Sequence, residues 1–336
     1  MDFRLTEDQR QLQTATRELL AGRFDRARLR AAVDAGGPLD RALWAELHTA
    51  GLFALRAPGA SGLGLGLAEA VLVFEEAGRA LLPGPLVATE LAAALGLVSA
   101  ADGVAGLVRL PHGRGPLLVE QLPSLDLLLV LDTAAGELRL LEPPAEAAVA
   151  RPVRGVDPLT PLWELTGPLP PGRPVGGADT ARLWAEGTLL TAALQLGLAA
   201  RAVESAVGYA RQREQFGRPI GAFQAVQHLC ADMLGRLELA RVAVRAAALL
   251  LDTGPRLDPV ALDPAALDPS ARAEVAGAKL LADEAAVRGA RDCLQIHGGM
   301  GFTWEADVQL LLKRAWVWQG GFAGARECAE ELAAQL

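Results

Sequence analysis

The second half of the chain carries four long stretches in which apolar side chains recur with the spacing of an α-helix. They run over about Arg182–Gln212, Gln224–Leu251, Ala271–Ile296 and Glu305 to the C-terminus. A 3.6-residue period over such lengths predicts amphipathic helices, and consecutive long helices cover each other's apolar faces as an antiparallel bundle. We therefore predict a C-terminal four-helix bundle over residues 178–336, with a Pro- and Asp-rich loop over Asp252–Pro269.

The beginning of the chain is also helical by its pattern. Thr6 is a favourable N-cap residue for a first helix, and a second helix near Leu39–Ala50 ends at Gly51, a residue type common just after helices. A glycine-rich loop, an amphipathic helix and a proline break then follow over Pro58–Gly66, Leu67–Leu82 and Pro83–Pro85. These features predict an N-terminal α-helical domain over residues 1–102.

Between about Gly103 and Pro174 the pattern changes to short apolar runs separated by Pro, Gly and Asp. The runs cover Leu117–Val119, Leu127–Leu131 and Leu138–Leu141. Such runs are typical of strands and turns, and the proline cluster Pro158–Pro174 is expected to end the region. The prediction is a reduced β middle domain over residues 103–177, within a fold that is mostly α.

The composition limits the partners that this chain can have. Hydrophobic residues make up 51% of the sequence, which leaves apolar surface that a second subunit would cover. The formal net charge is −8, and no concentrated basic stripe is present for nucleic acid. We expect a protein partner and no nucleic acid.

The cysteines and the apolar stretches bear on the cellular location of the chain. Cys230, Cys293 and Cys328 lie far apart, and no two of the four histidines stand at metal-ligand spacing, so neither a disulfide framework nor a metal site is expected. No charged-then-apolar leader opens the chain, and apolar stretches such as Leu189–Ala200 are shorter than the roughly 20 residues of a membrane helix. We expect a cytoplasmic protein without a membrane span.

A charged motif with two glycines lies between the first two bundle helices. It reads RQREQFGRPIG over Arg211–Gly221, and Gln224 follows it. The planar guanidinium group of arginine suits a pyrophosphate, and Gly217 and Gly221 let the backbone approach a ligand. An ordinary helix–loop–helix connection with solvated arginines would look the same, so this motif alone leaves both interpretations open.

A second motif follows the third bundle helix and reads QIHGGMGFTWE over Gln295–Glu305. A glutamine amide can pair with an adenine edge, and adjacent glycines leave room for a nucleotide against the backbone. A glycine-rich turn that caps a helix has the same pattern. His297 is interpreted as a packed or hydrogen-bonding residue rather than a catalyst.

Taken together, these motifs resemble the C-terminal domain of the acyl-CoA dehydrogenases. The shared pattern is R-x-x-F-G with Gln224 beyond it, and then Q-x-x-G-G-x-G-F. The opening MDFRLTEDQRQL, the stretch ELHTAGLFAL and the run EEAGRALLPGPL are similar to the N-terminal helical domain of the same family. The resemblance covers nearly the whole chain and is weakest between about residues 100 and 175.

The resemblance implies FAD as cofactor and a site shared between chains. In the family, each chain binds the flavin ring with its own β domain, and the neighbouring chain supplies an arginine and a Q-x-x-G-G turn to the remainder of FAD. The residues that this chain would lend are Arg213, Phe216, Gln224, Gln295, Gly298 and Gly299. All six are present.

The residues for the chain's own active site are not present. The strand segment that contacts the flavin ring in the family has no counterpart, and the position of the usual glutamate base holds Phe322. The alternative base position holds Gly187, and Thr188 stands where an arginine faces CoA in the family. Phenylalanine and glycine cannot remove a proton. Glu186 is one residue away from the alternative position, a rotation of about 100° around the helix, so no catalytic residue is assigned.

A chain that contributes residues to a neighbour's FAD site but has no base of its own resembles the short subunit of the α2β2 acyl-CoA dehydrogenases that actinobacteria use on steroid side chains. This resemblance implies a heterotetramer in which a homologous subunit binds most of the acyl-CoA and supplies the base, while this chain alone is inactive. Two alternatives stay open. One is a self-sufficient homo-oligomeric enzyme with an atypical base such as Glu186, and the other is a scaffold subunit that binds no flavin.

Overall fold

The computed structural model describes residues 4–59, 62–98, 102–110, 116–142, 144, 149–253 and 267–335. Helices precede and follow a small β region, in the predicted order α, β, α. One hydrophobic core runs through all three parts and includes Leu20 near the N-terminus, Leu128 in the β region and Leu190 in the long central helix. The fold is mostly α with a reduced β middle region, as the sequence predicts.

Five helices form the N-terminal part: α1 Glu7–Arg23, α2 Arg26–Asp34, α3 Arg41–Thr49, α4 Leu67–Ala80 and α5 Leu86–Ala94. Thr6 caps α1 as predicted, in a reciprocal capping box with Gln9. Gly51, with φ of +85°, follows α3 in the left-handed conformation that favours glycine. The α5 helix was not predicted. All of its residues are buried, so it has no polar face from which a helical period could be read.

The described residues of the middle part form seven strands: β1 Ala105–Arg109, β2 Leu117–Glu120, β3 Leu127–Asp132, β4 Glu137–Leu141, β5 Ala150–Val153, β6 Leu162–Leu165 and β7 Arg173–Pro174. They make a four-stranded sheet of order β1-β3-β4-β7 and a three-stranded sheet of order β2-β6-β5. Only the β1–β3 pair is parallel among the described strands. The last described strand of this region, β7, ends at Pro174, where the proline cluster ends as predicted, although β6 and β7 lie within the cluster.

The C-terminal part consists of α6 Thr180–Gln212, α7 Gln224–Asp252, α8 Pro269–His297, α9 Val308–Gln319 and α10 Ala325–Ala333, with a hairpin of β8 Glu214–Gln215 and β9 Arg218–Pro219 after α6. The fourth predicted helix was wrong in one respect: it is interrupted between α9 and α10. Gly320 and Gly321 weaken helix formation there, and Phe322 has a φ of +52°, outside the helical region. Of the predicted Asp252–Pro269 loop, residues 254–266 lie outside the described part.

The α6 helix is the central element of the bundle. Among the described residues it is the one helix that is long and apolar enough to cross a membrane, which corrects the prediction that the apolar stretches are too short. However, 94% of its most apolar window is buried inside the protein. The helix therefore packs as a core helix, and its apolar character is explained by burial on all sides.

The C-terminal part docks on the N-terminal part through a helix cap supplied from a distance. The carboxylate of Asp252, at the end of α7, accepts hydrogen bonds from the backbone N–H groups of Leu67 and Ala68, both at 2.8 Å. A Cβ at Gly66 would lie 2.6 Å from that carboxylate, so only glycine leaves room for the cap. A negative charge at a helix N-terminus is stabilising, and here it also joins two parts of the chain.

Candidate functional site

The C-terminal ends of α6 and α8 lie side by side. Gln195 in the middle of α6 donates a hydrogen bond to Asp283 in the middle of α8, at 2.9 Å. Near the ends of the same helices, the rings of Tyr209 and His297 stack at 4.1 Å between centroids. Contacts that advance in step along both helices mean that the helices run parallel. The two sequence motifs, each at the end of one of these helices, are therefore brought to the same end of the bundle.

Arg213 stands at the point where α6 stops. Its backbone N–H donates to the carbonyl of Tyr209, and its own carbonyl accepts from the N–H of Ile220, both at 2.8 Å. These two bonds fix the backbone of Arg213, while its side chain is exposed. Within the part of the chain that the structure describes, its guanidinium group has no hydrogen bond or ion pair. Arg218, in contrast, lies over the ring of Phe223 at 4.2 Å.

Phe216 occupies the tip of the β8–β9 hairpin. Phe216 and Gly217 have φ angles of +53° and +78°, which are typical of the tight turns that join antiparallel strands. A left-handed conformation is unfavourable for a bulky residue such as phenylalanine. The ring is nevertheless 92% exposed. Gln224 is the first residue of α7 and is also exposed.

The glycine turn after α8 leaves its backbone open to the outside. Gly298 ends the helix with a φ of +59°, and a Cβ placed on Gly298 or Gly299 would meet no atom of the described chain within 4 Å. At Gly301, in contrast, a Cβ would lie 3.1 Å from both His297 Cβ and the carbonyl of Leu294. A side chain at Gly301 would therefore crowd His297 and Leu294, whereas nothing within the described chain crowds Gly298 or Gly299. Gln295, on the last turn of α8, is exposed.

These groups fit the tail of FAD as one side of a site. An unpaired guanidinium group suits phosphate, an amide suits an adenine edge, and open glycines let a nucleotide approach the backbone. All six predicted residues are exposed, whereas a small-molecule site normally buries about 70–90% of its ligand. The chain thus offers a face that fits the cofactor without enclosing it.

The two positions at which the family resemblance places a base contact each other. A Cβ built on Gly187 would lie 2.0 Å from Cε1 of Phe322, which is far closer than any real contact. The phenyl ring therefore occupies the space that a side chain at position 187 would need. Neither position carries a carboxylate. Thr188 is buried and donates to the carbonyl of Trp184 in its own helix, at 2.8 Å.

Further side chains hold the ring of Phe322 in place. Trp184 lies against it at 5.0 Å between centroids, and the guanidinium group of Arg109 covers the Trp184 ring at 3.8 Å. Glu327 accepts hydrogen bonds from Arg109 and from the indole N–H of Trp184. This stack joins β1, α6, the turn before α10 and α10 itself, so the space next to Gly187 is filled by packed protein.

Glu186 is fully buried and paired on both sides. Its Oε2 accepts from Arg56 at 2.6 Å and its Oε1 accepts from Arg182 at 2.7 Å. Arg56 also donates to the buried carboxylate of Glu90 at 2.8 Å, so that two guanidinium groups and two carboxylates balance one another. Burial raises the pKa of Glu90, whereas the charge of Arg56 opposes that rise. A carboxylate bound in this way has no free oxygen directed at a substrate.

A second buried polar cluster lies where β2 meets α9. Arg314 is almost fully buried, pairs with the buried carboxylate of Asp157 and donates to the carbonyl of Leu82 in the N-terminal part. Burial raises the pKa of the nearby Glu120 carboxyl to about 7, although Arg314 acts in the opposite direction. Oε1 of Glu120 is buried and has no hydrogen-bond partner within the described residues. The cluster joins all three parts of the chain.

Several of these contacts were not predicted from the sequence. The four-charge cluster around Glu186 could be read only in part, because Arg182 and Glu186 stand four residues apart on one helix while Arg56 comes from a distant loop. The Tyr209–His297 stack joins elements far apart in the sequence. Among the described residues, no group of three or more His, Cys, Asp or Glu side chains is placed to hold a metal ion.

Comparison with known protein families gives two matches. Residues 6–101 match the acyl-CoA dehydrogenase N-terminal domain, and residues 181–335 match the acyl-CoA dehydrogenase C-terminal domain. The intervening residues 102–180 hold the reduced β region, where the sequence resemblance is also weakest.

Individual relatives match over most of the chain. The chain is 34% identical to the acyl-CoA dehydrogenase IpdE2 of Mycobacterium tuberculosis, over 92% of this chain and 91% of that protein. The solved ChsE4–ChsE5 complex of Mycobacterium tuberculosis has a similar fold, with a TM-score of 0.82, 24% identity and coverage of 100% and 98% of the two chains. A steroid ACAD, Tcur3481–Tcur3483, gives a TM-score of 0.81 at 24% identity, with 98% and 97% covered. The chain belongs to the acyl-CoA dehydrogenase family.

Proposed function

We propose that this chain is a subunit of a heteromeric, FAD-dependent acyl-CoA dehydrogenase that lends one half of the FAD site to a homologous partner. The reaction is the α,β-desaturation of an acyl-CoA thioester. The partner supplies the catalytic base and binds most of the substrate, and this chain alone is inactive. The division into parts at residues 102/103 and 177/178 stays a prediction, as does the cytoplasmic location.

The observation that carries the proposal is the state of Arg213. Its backbone is fixed at the end of α6, yet its guanidinium group is exposed and has no partner among the described residues. A fixed, unpaired cation next to open glycines is suited to the phosphates of a cofactor that is held mainly elsewhere. Phe216, Gln224, Gln295, Gly298 and Gly299 would contact the same cofactor.

The chemistry of the reaction explains why a partner is needed. FAD, when bound, supplies the acceptor for the β-hydrogen of the substrate as hydride. Removal of the α-proton needs a positioned carboxylate with a suitable pKa. Gly187 and Phe322 provide none, and Glu186 is occupied by two arginines. These observations support a base supplied by a different chain, and they argue against a self-sufficient homo-oligomer that uses Glu186.

The relatives support a partner and a substrate class. The ChsE4–ChsE5 complex and the Tcur3481–Tcur3483 steroid ACAD are named as pairs of components, and the second is named for a steroid. By analogy we propose a heterotetramer with a homologous catalytic subunit and a steroid side-chain CoA ester as the substrate. The surplus of apolar residues in this sequence is consistent with a large subunit interface.

The test is a titration of FAD into the apo-complex that carries Arg213→Ala. A charge-assisted hydrogen bond to phosphate contributes roughly 1.5–3 kcal/mol. FAD affinity should therefore fall by about one to two orders of magnitude, since about 1.4 kcal/mol is tenfold. Activity should return when excess FAD is added, because Arg213 would touch the tail of the cofactor and not the reacting carbon.

Arg211→Ala is the matched control. Arg211 is exposed on the last turn of the same helix, only two residues away, so its loss changes the local charge by the same amount. The proposal expects Arg211→Ala to weaken FAD much less than Arg213→Ala does. Unchanged FAD affinity in Arg213→Ala would remove the support for a shared site and favour the scaffold without flavin.

A further inference from the structure

We infer that Tyr209 and His297 are positioning residues. They hold Arg213 and the Gln295–Gly299 turn, which are proposed to contact the FAD of the partner, at a fixed distance from each other. This inference rests on the proposed function, since it concerns how this chain would bind FAD. Neither residue belongs to the six that would contact the cofactor. They act through Arg213 on one side and through the Gln295–Gly299 turn on the other.

The two motifs have no close covalent connection. Arg213 ends α6, whereas the glycine turn ends α8, and the whole of α7 lies between them in the sequence. A cofactor that contacts both motifs is held well only if their separation is fixed before it binds. Some contact between the ends of α6 and α8 must therefore set that separation.

The Tyr209–His297 stack is this contact. The ring planes are 21° apart, with the centroids at 4.1 Å. On the α6 side, the carbonyl of Tyr209 accepts the N–H of Arg213 at 2.8 Å, so the ring belongs to the residue whose carbonyl binds the backbone of Arg213 at the helix end. On the α8 side, Nδ1 of His297 lies 2.8 Å from the carbonyl of Cys293, which fixes the imidazole to its own helix.

The glycine turn is also fixed to His297 and supported from behind. Gly301 folds back so closely that a Cβ there would lie 3.1 Å from Cβ of His297. Beyond the turn, the cationic groups of Arg30 and Lys313 each lie 5.2 Å from the centroid of the Trp304 indole ring. The stack therefore connects to a turn that packs against His297 itself, and a shift of Tyr209 would change the distance from Arg213 to the turn.

The two rings line a groove that none of the six predicted contact residues lines. Both rings are half-buried, and the groove, of about 590 Å³, is bordered by α1, α2, α4, α6 and α9. Since the rings line a groove that the six contact residues do not line, their loss should affect FAD through the motifs. This separates positioning from direct contact.

The experiment is a double-mutant cycle on FAD affinity, measured by titrating the apo-complex. Tyr209→Ala removes the stack and should weaken FAD by about two- to tenfold, since aromatic pairs are worth about 0.5–1.5 kcal/mol. Tyr209→Phe keeps the ring and should stay within about twofold of wild type. If the stack sets the spacing, Gln295→Ala should cost less affinity in the Tyr209→Ala background than in wild type, because the turn is then already displaced.

The outcomes separate the two proposals. Equal effects of Gln295→Ala in both backgrounds, or an unchanged affinity in Tyr209→Ala, would overturn the positioning role and leave the shared site intact. A merely structural role would lower the thermal stability of Tyr209→Ala and leave the effects on FAD additive. Failure of Arg213→Ala to weaken FAD would instead overturn the shared site itself. His297→Ala serves as the second variant if Tyr209→Ala does not fold.

Discussion

The packing of Phe322 against Gly187 predicts an unusual response to the smallest possible substitution on α6. In Gly187→Ala, the new methyl group would lie 2.0, 2.4 and 2.7 Å from three atoms of the Phe322 ring. Carbon atoms in good contact are about 3.5–4.0 Å apart, so the ring would have to move by more than about 1 Å. Trp184 and the left-handed backbone of Phe322 oppose that movement.

The size of the effect follows from two opposing contributions. An extra methyl group in a packed interior costs about 1–3 kcal/mol, whereas alanine in place of glycine inside a helix gains up to about 1 kcal/mol. Gly208→Ala is the matched control, because Gly208 lies in the same helix and a Cβ there meets no described atom within 4 Å. The difference between the two variants removes the helix contribution and should be about 1–3 kcal/mol.

The assay is thermal unfolding of the assembled protein. With an unfolding entropy of about 2.1 cal/mol/K per residue, each kcal/mol shifts Tm by roughly 1–2 °C in a chain of 336 residues, so Gly187→Ala should melt about 1–4 °C below Gly208→Ala. In a Phe322→Ala background the ring is gone, and Gly187→Ala should then behave like Gly208→Ala. Equal Tm values for the two single variants would mean that Phe322 does not fill the space at Gly187. The conclusion that packed side chains occupy the position of the alternative base would then be wrong.

Two further predictions concern the buried charges. Glu186→Gln in the complex should leave kcat within a few-fold of wild type, but should lower the free energy of unfolding by about 3–5 kcal/mol, because Arg56 and Arg182 lose a buried partner; a hundredfold fall in kcat with FAD still bound would identify Glu186 as a base. Glu120, whose pKa is raised to about 7 by burial, binds its proton more tightly in the folded than in the unfolded chain. Its stabilising contribution is therefore complete below about pH 4 and is lost as the pH rises through about 7. Tm between pH 5 and 8 should fall less in Glu120→Gln than in wild type, and identical pH profiles would show that burial next to Arg314 does not perturb this carboxyl.

The sequence predicts the long helices best, because their apolar periods extend over several turns. The capping of α1 by Thr6 and the end of α3 at Gly51 were also correct, since both depend on the chemistry of one residue at a helix terminus. The break between α9 and α10 was missed. The local signal for it is the pair Gly320 and Gly321, which weakens helix formation, and Phe322 follows in a left-handed conformation and packs against Gly187 of α6.

In the candidate site as well, features within one short stretch of sequence could be predicted, whereas contacts between distant residues could not. The six residues of the lent half could be named from motifs, because each motif is contiguous, and that assignment stays a prediction. The pairing of Glu186 with Arg56 could not be read, because it joins α6 to a loop in the N-terminal part. The contact of Gly187 with Phe322 could not be predicted either, because these two residues are far apart in the sequence. The sequence showed that the two expected base positions, Gly187 and Phe322, carry no carboxylate. Only the structure shows that the ring of Phe322 fills the space next to Gly187.

The shared site is tested most directly by counting FAD in the purified protein. The chain would be expressed alone and together with the product of an adjacent gene, and FAD would be counted per polypeptide after purification. We predict one FAD for every two chains in an active complex, and a poorly soluble or flavin-free product when the chain is expressed alone. A yellow, monodisperse and active preparation of the lone polypeptide with one FAD per chain would contradict the shared site, and a complex without FAD would contradict it as well.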